Sequence, residues 1–153
     1  SHNTMTYTIG RYNDVGPDEP KFIQCLGRYL SLVSKPVIFN WSVTQYDDVV
    51  AQLNGGIRYL DLRLATKPTG PEIYFLHGLY GDEVTEHFQT IARWLRAHPK
   101  EVIILDFQHF YSFTGATHTN LVRKIKTIFG GMLCPIGNLS SITCDWLARR
   151  RFQ

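Results

Sequence analysis

Two histidines, an arginine and a carboxylate stand out among the polar residues of this 153-residue sequence. His2 lies in SHNT, Asp61 and Arg63 lie in GIRYLDLRLA, and His77 lies in YFLHG. Such a set is suited to phosphodiester cleavage. One imidazole can remove a proton from an attacking hydroxyl, the other can protonate the leaving oxygen, and the guanidinium can stabilise charge on the phosphoryl oxygens.

Each of these residues also has a purely structural interpretation. A histidine at a chain end is commonly a solvated residue, and His77, which precedes Gly78, fits a turn. Asp61 and Arg63 fit a structural ion pair on a sheet face. The residue types alone leave the catalytic and the structural interpretation open.

The elements that must position these side chains alternate between strand and helix periodicity. Apolar spacing predicts helices over 22–33, 44–53, 84–95, 121–129 and 141–150, and KPVIFNWS breaks the first pattern. Strands are predicted for GIRYLDLRLA, EIYFLHG and EVIILDFQHF, with SHNT as the end of an earlier strand. This alternation indicates an α/β fold with parallel strands and outer helices. An eight-stranded barrel typically needs about 250 residues. The chain is therefore either a small open sheet or about half of a barrel.

The candidate residues are predicted to lie at or near the C-terminal ends of these strands, the edge where α/β folds bind ligands. Asp61 and Arg63 are two apart and project from the same face of their strand. On EVIILDFQHF, Asp106 and Gln108 face the interior if the apolar positions between them face the helices. They would then contact the substrate or form a buried polar layer.

Composition indicates a globular domain and limits the class of partner. The chain is 44% hydrophobic with a formal net charge of +3, which is too mild to indicate nucleic-acid binding. No apolar run is long enough to span a bilayer. The three cysteines, Cys25, Cys134 and Cys144, lack CxxC spacing and are predicted to be free thiols of a reducing compartment. We therefore expect a cytoplasmic protein.

The motifs in their order resemble a known family. SHNT, WSVTQ, GIRYLDLRLA, YFLHG and EVIILDFQHFY are similar to the X region of phosphatidylinositol-specific phospholipase C, and above all to the small animal PI-PLC X domain family. The resemblance runs from Ser1 to the last residue. It implies a TIM-like barrel that cleaves an inositol phospholipid to diacylglycerol and a cyclic inositol phosphate.

The resemblance also implies a role for each candidate residue. His2 matches the general base and His77 matches the general acid. Arg63 matches the arginine that metal-independent members use on the phosphoryl group, and Asp61 matches the carboxylate two residues before it. The family further implies a hydrolase of lipid metabolism and signalling that contacts membranes transiently.

Asn3 is the position where the match is mixed. Metal-independent members have aspartate after the first histidine, whereas calcium-dependent members have asparagine there as a metal ligand. The guanidinium of Arg63 would repel Ca²⁺. We therefore expect no metal cofactor, with Ca²⁺ held by Asn3 and Asp61 as the alternative. The missing carboxylate at position 3, where Asn3 is expected to contact the substrate, predicts a reduced rate.

The extent of the resemblance predicts that residues 1–153 are the N-terminal part of an X-type barrel, since family members continue beyond it. We expect an exposed sheet edge, low activity, and a partner that is either the other half of the barrel or a second chain. The alternative function is a weak or inactive half-barrel that binds inositol phosphate headgroups. A glycerophosphodiester hydrolase would need acidic metal-binding pairs, which the sequence does not offer.

Membrane contact requires an element of its own. The helix TNLVRKIKTIFGG carries Arg123, Lys124 and Lys126 beside an apolar stripe. It would either lie at the lipid interface or cover the barrel with that stripe.

Overall fold

Four strands form one sheet in the computed structural model, which describes residues 1–135 and 142–153. They are β1 (Tyr59–Thr66), β2 (Ile73–His77), β3 (Leu79–Glu83) and β4 (Ile104–Tyr111). Their spatial order is β3-β2-β1-β4. The strands predicted for GIRYLDLRLA, EIYFLHG and EVIILDFQHF therefore form, the strand predicted to end at SHNT does not, and β3 adds one that the sequence pattern did not indicate.

Six α-helices accompany the sheet in the described residues. They are α1 (Lys21–Tyr29), α2 (Ser31–Ser42), α3 (Val49–Asn54), α4 (Val84–Ala97), α5 (Gly115–Phe129) and α6 (Cys144–Arg150). Short 3-10 helices cover Thr6–Thr8 and Gly130–Met132. The predicted start of the last helix, Ser141, lies outside the described residues.

Two helix predictions need correction. KPVIFNWS does not interrupt the helical pattern but lies within α2, which carries Pro36 internally. Proline has a φ that fits a helix, but it removes one backbone hydrogen bond and its ring crowds the preceding turn. A helix that its other residues stabilise can therefore continue through it. The helix predicted from Thr44 begins later, at α3, because the carboxylate of Asp48 caps it by accepting from the Ala51 N–H at 2.8 Å.

The α/β class is confirmed, but the strands are not all parallel. β4 runs parallel to β1, whereas β2 runs antiparallel to β1 and β3 antiparallel to β2. Residues 67–72 connect β1 to β2, and this connection is too short for a crossover helix, so the two strands form a hairpin. Gly78 alone joins β2 to β3 and has φ +70°, a conformation that favours glycine.

One face of the sheet packs against α4 and α5 to form the core. Leu60, Leu62 and Leu64 of β1 are fully buried, and Phe88 of α4 packs edge-on against Phe75 at 6.1 Å between ring centroids. Side chains alternate along a strand, so Asp61 and Arg63 project from the other face of β1. The core thereby fixes which face of β1 carries the polar pair.

The apolar stripe of α5 belongs to this core. Leu121 and Phe129 are buried in it, and Ile125 and Ile128 pack against it. α5 therefore covers the sheet with its apolar stripe, and this stripe is not available to a lipid interface. Among the described residues, no helix combines the length and apolar character needed to cross a membrane.

β4 lies at an edge of the sheet and is largely exposed, although a nearly continuous apolar sequence such as EVIILDFQHF is typical of a buried parallel strand. Ile104 is 55% exposed and Phe110 is also exposed. Residues 151–153 do not form a further strand, because Arg151 ends α6 in the left-handed conformation and Gln153 N donates to Met132 O at 2.9 Å. The expected open edge is therefore present at β4.

We expect this edge to drive association of the chain. An exposed strand edge with apolar side chains pairs readily with another strand. Wild-type chain should elute in size-exclusion chromatography with light scattering above the mass of a monomer, and Ile104→Lys should shift it toward monomer. A wild-type chain that stays monomeric at a concentration of about tens of micromolar would contradict this expectation.

Candidate active site

The first four residues place His2 beside β1. The Asp61 N–H donates to Ser1 O at 3.2 Å, and the Asp61 carbonyl accepts from Thr4 N at 3.0 Å. The prediction that this segment ends a strand is wrong. Asn3 has φ +47°, a left-handed conformation that interrupts strand geometry and that asparagine tolerates, so the segment is a turn bonded to β1.

The WSVTQ motif holds the backbone of His2 from the other side. The His2 carbonyl accepts from Thr44 Oγ1 at 3.1 Å and from Gln45 Nε2 at 3.0 Å. The sequence linked this motif to the site only through the family resemblance. The structure gives it a physical task, which is to fix the backbone that carries the first imidazole.

Asp61 and Arg63 form a partly buried ion pair within β1. Asp61 is 5% exposed, its Oδ2 accepts from the Asn3 N–H at 2.9 Å, and its Oδ1 lies 3.7 Å from Arg63 Nε. β1 continues for three residues past Arg63, so the pair lies near the C-terminal end of the strand but not at it. Removal of either partner would leave a buried charge uncompensated, which is strongly destabilising.

His77 ends β2 as predicted, and the hairpin brings it to the level of this pair. β2 runs back along β1, with Phe75 opposite Leu64, so its last residue lies beside the middle of β1. His77 Nδ1 donates to the carbonyl of Ser42 at 2.7 Å. This bond fixes the ring and leaves Nε2 facing the site.

Two acidic residues lie behind His77. The Gly78 N–H donates to Asp18 Oδ2 at 2.7 Å. Burial and the charge of Asp18 raise the pKa of Glu19, while His77 lowers it. The loop that carries both carboxylates therefore borders the second imidazole, and neither residue was identified from the sequence.

The amide of Asn3 connects the two imidazoles. Its Nδ2 lies 3.2 Å from His77 Nε2 and 3.5 Å from His2 Nδ1, and the ring centroids are 6.4 Å apart. Asn3 is 3% exposed, and its Oδ1 is buried with no hydrogen-bond partner in the described residues. Because Nδ2 donates, this arrangement fits His77 with Nε2 unprotonated.

His2 is less well fixed than His77. Asn3 Nδ2 faces its Nδ1 at 3.5 Å, and Arg63 Nη2 faces its Nε2 at 3.5 Å. Both neighbours are donors, but a neutral imidazole has a single acceptor nitrogen. Neither tautomer can therefore accept both contacts, and no carboxylate of the described residues hydrogen-bonds to this ring.

Asp106 and Gln108 lie next to the site but do not touch the imidazoles. Asp106 pairs in register with Asp61, and its carboxylate accepts from the Tyr59 hydroxyl and, at 2.7 Å, from Gln108 Nε2. These hydrogen bonds, that of Tyr59 first, lower the pKa of Asp106. Tyr59, Asp106 and Gln108 thus form an exposed polar layer. The contact of Asp106 and Gln108 with substrate stays a prediction.

His109 lies opposite Arg63 because of an irregularity that the sequence pattern did not reveal. The β1–β4 register shifts after Leu62, so Arg63 pairs with His109 and not with Gln108. Paired residues in neighbouring strands share a face. The bulge therefore places a third imidazole on the face of Arg63, whereas strict alternation assigned that face to Gln108.

The donor set fits a divalent cation poorly. Asn3 Oδ1 and Asp61 Oδ1 are both without hydrogen bonds, but the Arg63 guanidinium lies against Asp61 Oδ1. Ca²⁺ takes six to eight oxygen ligands. Across residues 1–135 and 142–153, no group of three or more histidine, cysteine or acidic side chains could hold a metal.

Comparison with known proteins gives curated relatives over the whole chain. PI-PLC X domain-containing protein 3 of Danio rerio is 36% identical over 155 residues, which cover 100% of this chain and 48% of that protein. PI-PLC X domain-containing protein 2 of Homo sapiens is 41% identical and covers 100% and 50%. The chain thus spans about half the length of these relatives. No family model matches the chain.

Two solved structures share the fold. Both come from work on the membrane binding of S. aureus phosphatidylinositol-specific phospholipase C. One aligns with a TM-score of 0.52 at 20% identity and covers 85% of this chain and 36% of that one. The relatives confirm the resemblance to the PI-PLC X domain proteins, and the structural likeness confirms a partial barrel fold.

We expect Gly78 to be essential for the position of His77. A Cβ at Gly78 would collide with Ser42 Oγ and approach Ile38 Cγ2 to 3.2 Å, in addition to the strain of φ +70°. Gly78→Ala should cost about 1–2 kcal/mol for the backbone and about 1–3 kcal/mol for overpacking.

Gly56→Ala is the matched control for this substitution. Gly56 also has positive φ, +96°, but its Cβ would meet no atom of the described residues within 4 Å. It should therefore show only the backbone cost. Urea denaturation of both variants gives the two free energies of unfolding, and equal losses would contradict the packing argument.

Proposed function

We propose that this homologue of the PI-PLC X domain-containing proteins is the N-terminal part of a phosphoric diester hydrolase of the phosphatidylinositol-specific phospholipase C type. Its substrate is an inositol phospholipid, and its products are diacylglycerol and a cyclic inositol phosphate. The observation that carries the proposal is the convergence of His2, Asn3, Arg63 and His77, which the turn, β1 and the β2 hairpin bring together.

The proposed reaction assigns one task to each polar group. His2 takes the proton of the inositol 2-hydroxyl while that oxygen forms its bond to phosphorus. The bond from phosphorus to the glycerol oxygen breaks, and this oxygen takes the Nε2 proton of His77. Arg63 stabilises the charge on the phosphoryl oxygens, and Asp61 holds the guanidinium in place.

The amide of Asn3 must follow the protonation of His77 during this reaction. With Nδ1 bonded to the Ser42 carbonyl, the transferable proton resides on Nε2. Before transfer, Nε2–H needs an acceptor, which the Asn3 amide supplies when rotation presents Oδ1. After transfer, Nε2 accepts from Nδ2, as in the structure.

We propose that the reaction needs no metal. The guanidinium of Arg63 beside Asp61 Oδ1 supplies the positive charge that Ca²⁺ would otherwise bring to the phosphoryl group. Calcium bound by Asn3 and Asp61 is the alternative, and the chelator experiment below distinguishes the two.

The second candidate function is an inositol phosphate binding module. It is favoured by the surroundings of His2, because its neighbours Asn3 and Arg63 are both donors and select no single tautomer of the ring. An imidazole without a fixed tautomer is a poor general base. Such a module would still use Arg63 and both histidines to hold a phosphate.

The substrate lies in a bilayer, and α2 offers the contact. Trp41 is 84% exposed and Leu32 79% exposed, and Val33 and Val37 of the same helix are also exposed. α2 ends at Ser42, whose carbonyl bonds to His77. We therefore propose that α2, and not α5, brings a cytoplasmic protein transiently to the membrane.

Turnover of phosphatidylinositol vesicles in excess chelator tests the proposal. We expect slow release of cyclic inositol phosphate, unchanged by added Ca²⁺ and reduced at least about 100-fold in His2→Ala. His98→Ala, an exposed histidine on the far end of α4, should retain the wild-type rate. Turnover that depends on Ca²⁺ would favour the metal alternative.

A version extended past Gln153 should be tested beside the chain. Higher activity in the longer version would support the idea that residues 1–153 form half of a working barrel. Silence from both lengths, together with binding of inositol phosphate, would favour the binding module.

We expect Asn3→Asp to raise the rate. A carboxylate 3.2 Å from His77 Nε2 would stabilise the imidazolium that donates the proton. The turnover number should rise by about tenfold, and the alkaline limb of its pH profile should move to higher pH.

Asn3→Gly is the control for this substitution. Glycine keeps the left-handed backbone at φ +47° without strain but removes the amide that joins the imidazoles. We expect this variant to lose activity. A rate for Asn3→Asp at or below that of Asn3→Gly would contradict the role given to position 3.

A further inference from the structure

A basic groove lies outside the candidate active site, between α1 and the loops at the end of β1. Its volume is about 970 Å³. The cationic residues of its lining are Lys21, Arg28, Lys35 and Lys67, and the lining contains one carboxylate, Asp14. The groove therefore carries an excess of three positive charges, which matches an anionic ligand.

The walls of this groove are held by specific contacts. Lys67 Nζ lies 4.3 Å from the ring centroid of Tyr74 and 4.9 Å from that of Tyr80. Gly27 allows α1 to approach Val15 so closely that a Cβ would collide with the valine side chain. The cations on α1 are therefore held opposite Lys67 by packing.

Lys35 contributes to the groove from α2. Its Nζ donates to Tyr12 O at 3.0 Å and lies 3.4 Å from Asp14 Oδ1, and its side chain is largely covered. This pair neutralises the one carboxylate of the lining. Lys21, Arg28 and Lys67 form no ion pair with the described residues, so their charges are available to a ligand.

A single loop separates the groove from the catalytic side. Asp14, Val15 and Pro17 line the groove, whereas Asp18, next in the chain, accepts from the Gly78 N–H beside His77. The groove shares no residue with the set that holds the imidazoles. It is therefore a second site and not an extension of the first.

The flanks of the groove indicate what occupies it. Tyr29 of its lining is exposed, and the same helix pair exposes Phe22, Leu32 and Trp41. A soluble anion would leave this apolar surface in water. A bilayer would cover the apolar side chains and at the same time present phosphate groups to the cations.

We infer that the groove binds the headgroup of an anionic lipid other than the one being cleaved, while the exposed side chains of α1 and α2 enter the bilayer interface. The inference rests on the membrane contact in the proposed function but not on catalysis. It is tested in the His2→Ala background, so that binding is measured without turnover and failure of catalysis leaves the result interpretable.

The experiment is co-sedimentation with vesicles that contain no inositol lipid. Phosphatidylcholine vesicles are compared with vesicles of phosphatidylcholine and phosphatidylserine at about four to one. We expect partitioning onto the anionic vesicles about tenfold or more above that onto the neutral ones, and a decline of this preference with added salt.

Charge reversal within the groove should abolish the preference. Lys21→Glu with Arg28→Glu should reduce partitioning onto anionic vesicles about tenfold or more, and the neutral Lys21→Gln with Arg28→Gln should give a smaller loss. The matched control is Arg123→Glu with Lys126→Glu on α5, which changes the net charge equally and should retain binding within about twofold. Thermal melts check that each variant folds.

Three results would overturn the inference. Equal loss in the α5 control would mean that net charge alone drives binding. Equal partitioning onto neutral and anionic vesicles would mean that the apolar side chains act without the groove. Displacement by inorganic phosphate at matched ionic strength would assign the groove to a soluble anion and not to a lipid.

Discussion

The buried carboxylate of Asp61 is the contact on which the arrangement of the site depends. Its side chain accepts from the Asn3 backbone, its main chain bonds to residues on both sides of His2, and Arg63 lies against its free oxygen. One residue in the middle of β1 therefore holds the turn that carries the first imidazole and the guanidinium that is proposed to bind the phosphoryl group. A carboxylate this deeply buried is stable because its partners compensate the loss of hydration. Because burial of an unpaired charge is costly, Asp61 and Arg63 lie together on the face of β1 opposite the core, where each is the other's ionic partner.

The second imidazole depends on backbone geometry and not on charge. The short connection after β1 forces a hairpin, and the hairpin returns His77 to the level of Asp61. Its ring is then fixed by the carbonyl of Ser42, at the end of α2. The helix with the exposed apolar surface is thus joined by one hydrogen bond to the proposed proton donor. A displacement of α2 would change the orientation of the His77 ring, because the Ser42 carbonyl is the acceptor of its Nδ1 proton among the described residues.

Much of this could be predicted from the sequence, since apolar periodicity reports which face of an element is buried. The patterns located β1, β2, β4, α4 and α5, and the family motifs named the residues that converge. Periodicity does not report strand direction, and the antiparallel course of β2 follows from a connection length that the prediction did not weigh. It also cannot report a bulge, which is why Gln108 and not His109 was assigned to the face of Arg63. Pro36 was overweighted as a breaker, and the exposed surface of α2 was missed with it.

The proposed membrane binding and the proposed chemistry place different demands on the described residues. The exposed apolar surface of α2 and the basic groove are built mostly from α1, α2 and nearby loops of the first 70 residues, and Tyr80 and Ser112 complete the lining of the groove. The proposed chemistry requires more, because His2 as the general base would need an acceptor that selects one tautomer, and Asn3 and Arg63 are both donors. β4, with its exposed Ile104, is an edge strand of the sheet, and strands of a barrel add at such an edge. The proposed membrane docking therefore draws on side chains that the described residues already supply, whereas the proposed general base has, among these residues, no acceptor that would orient it.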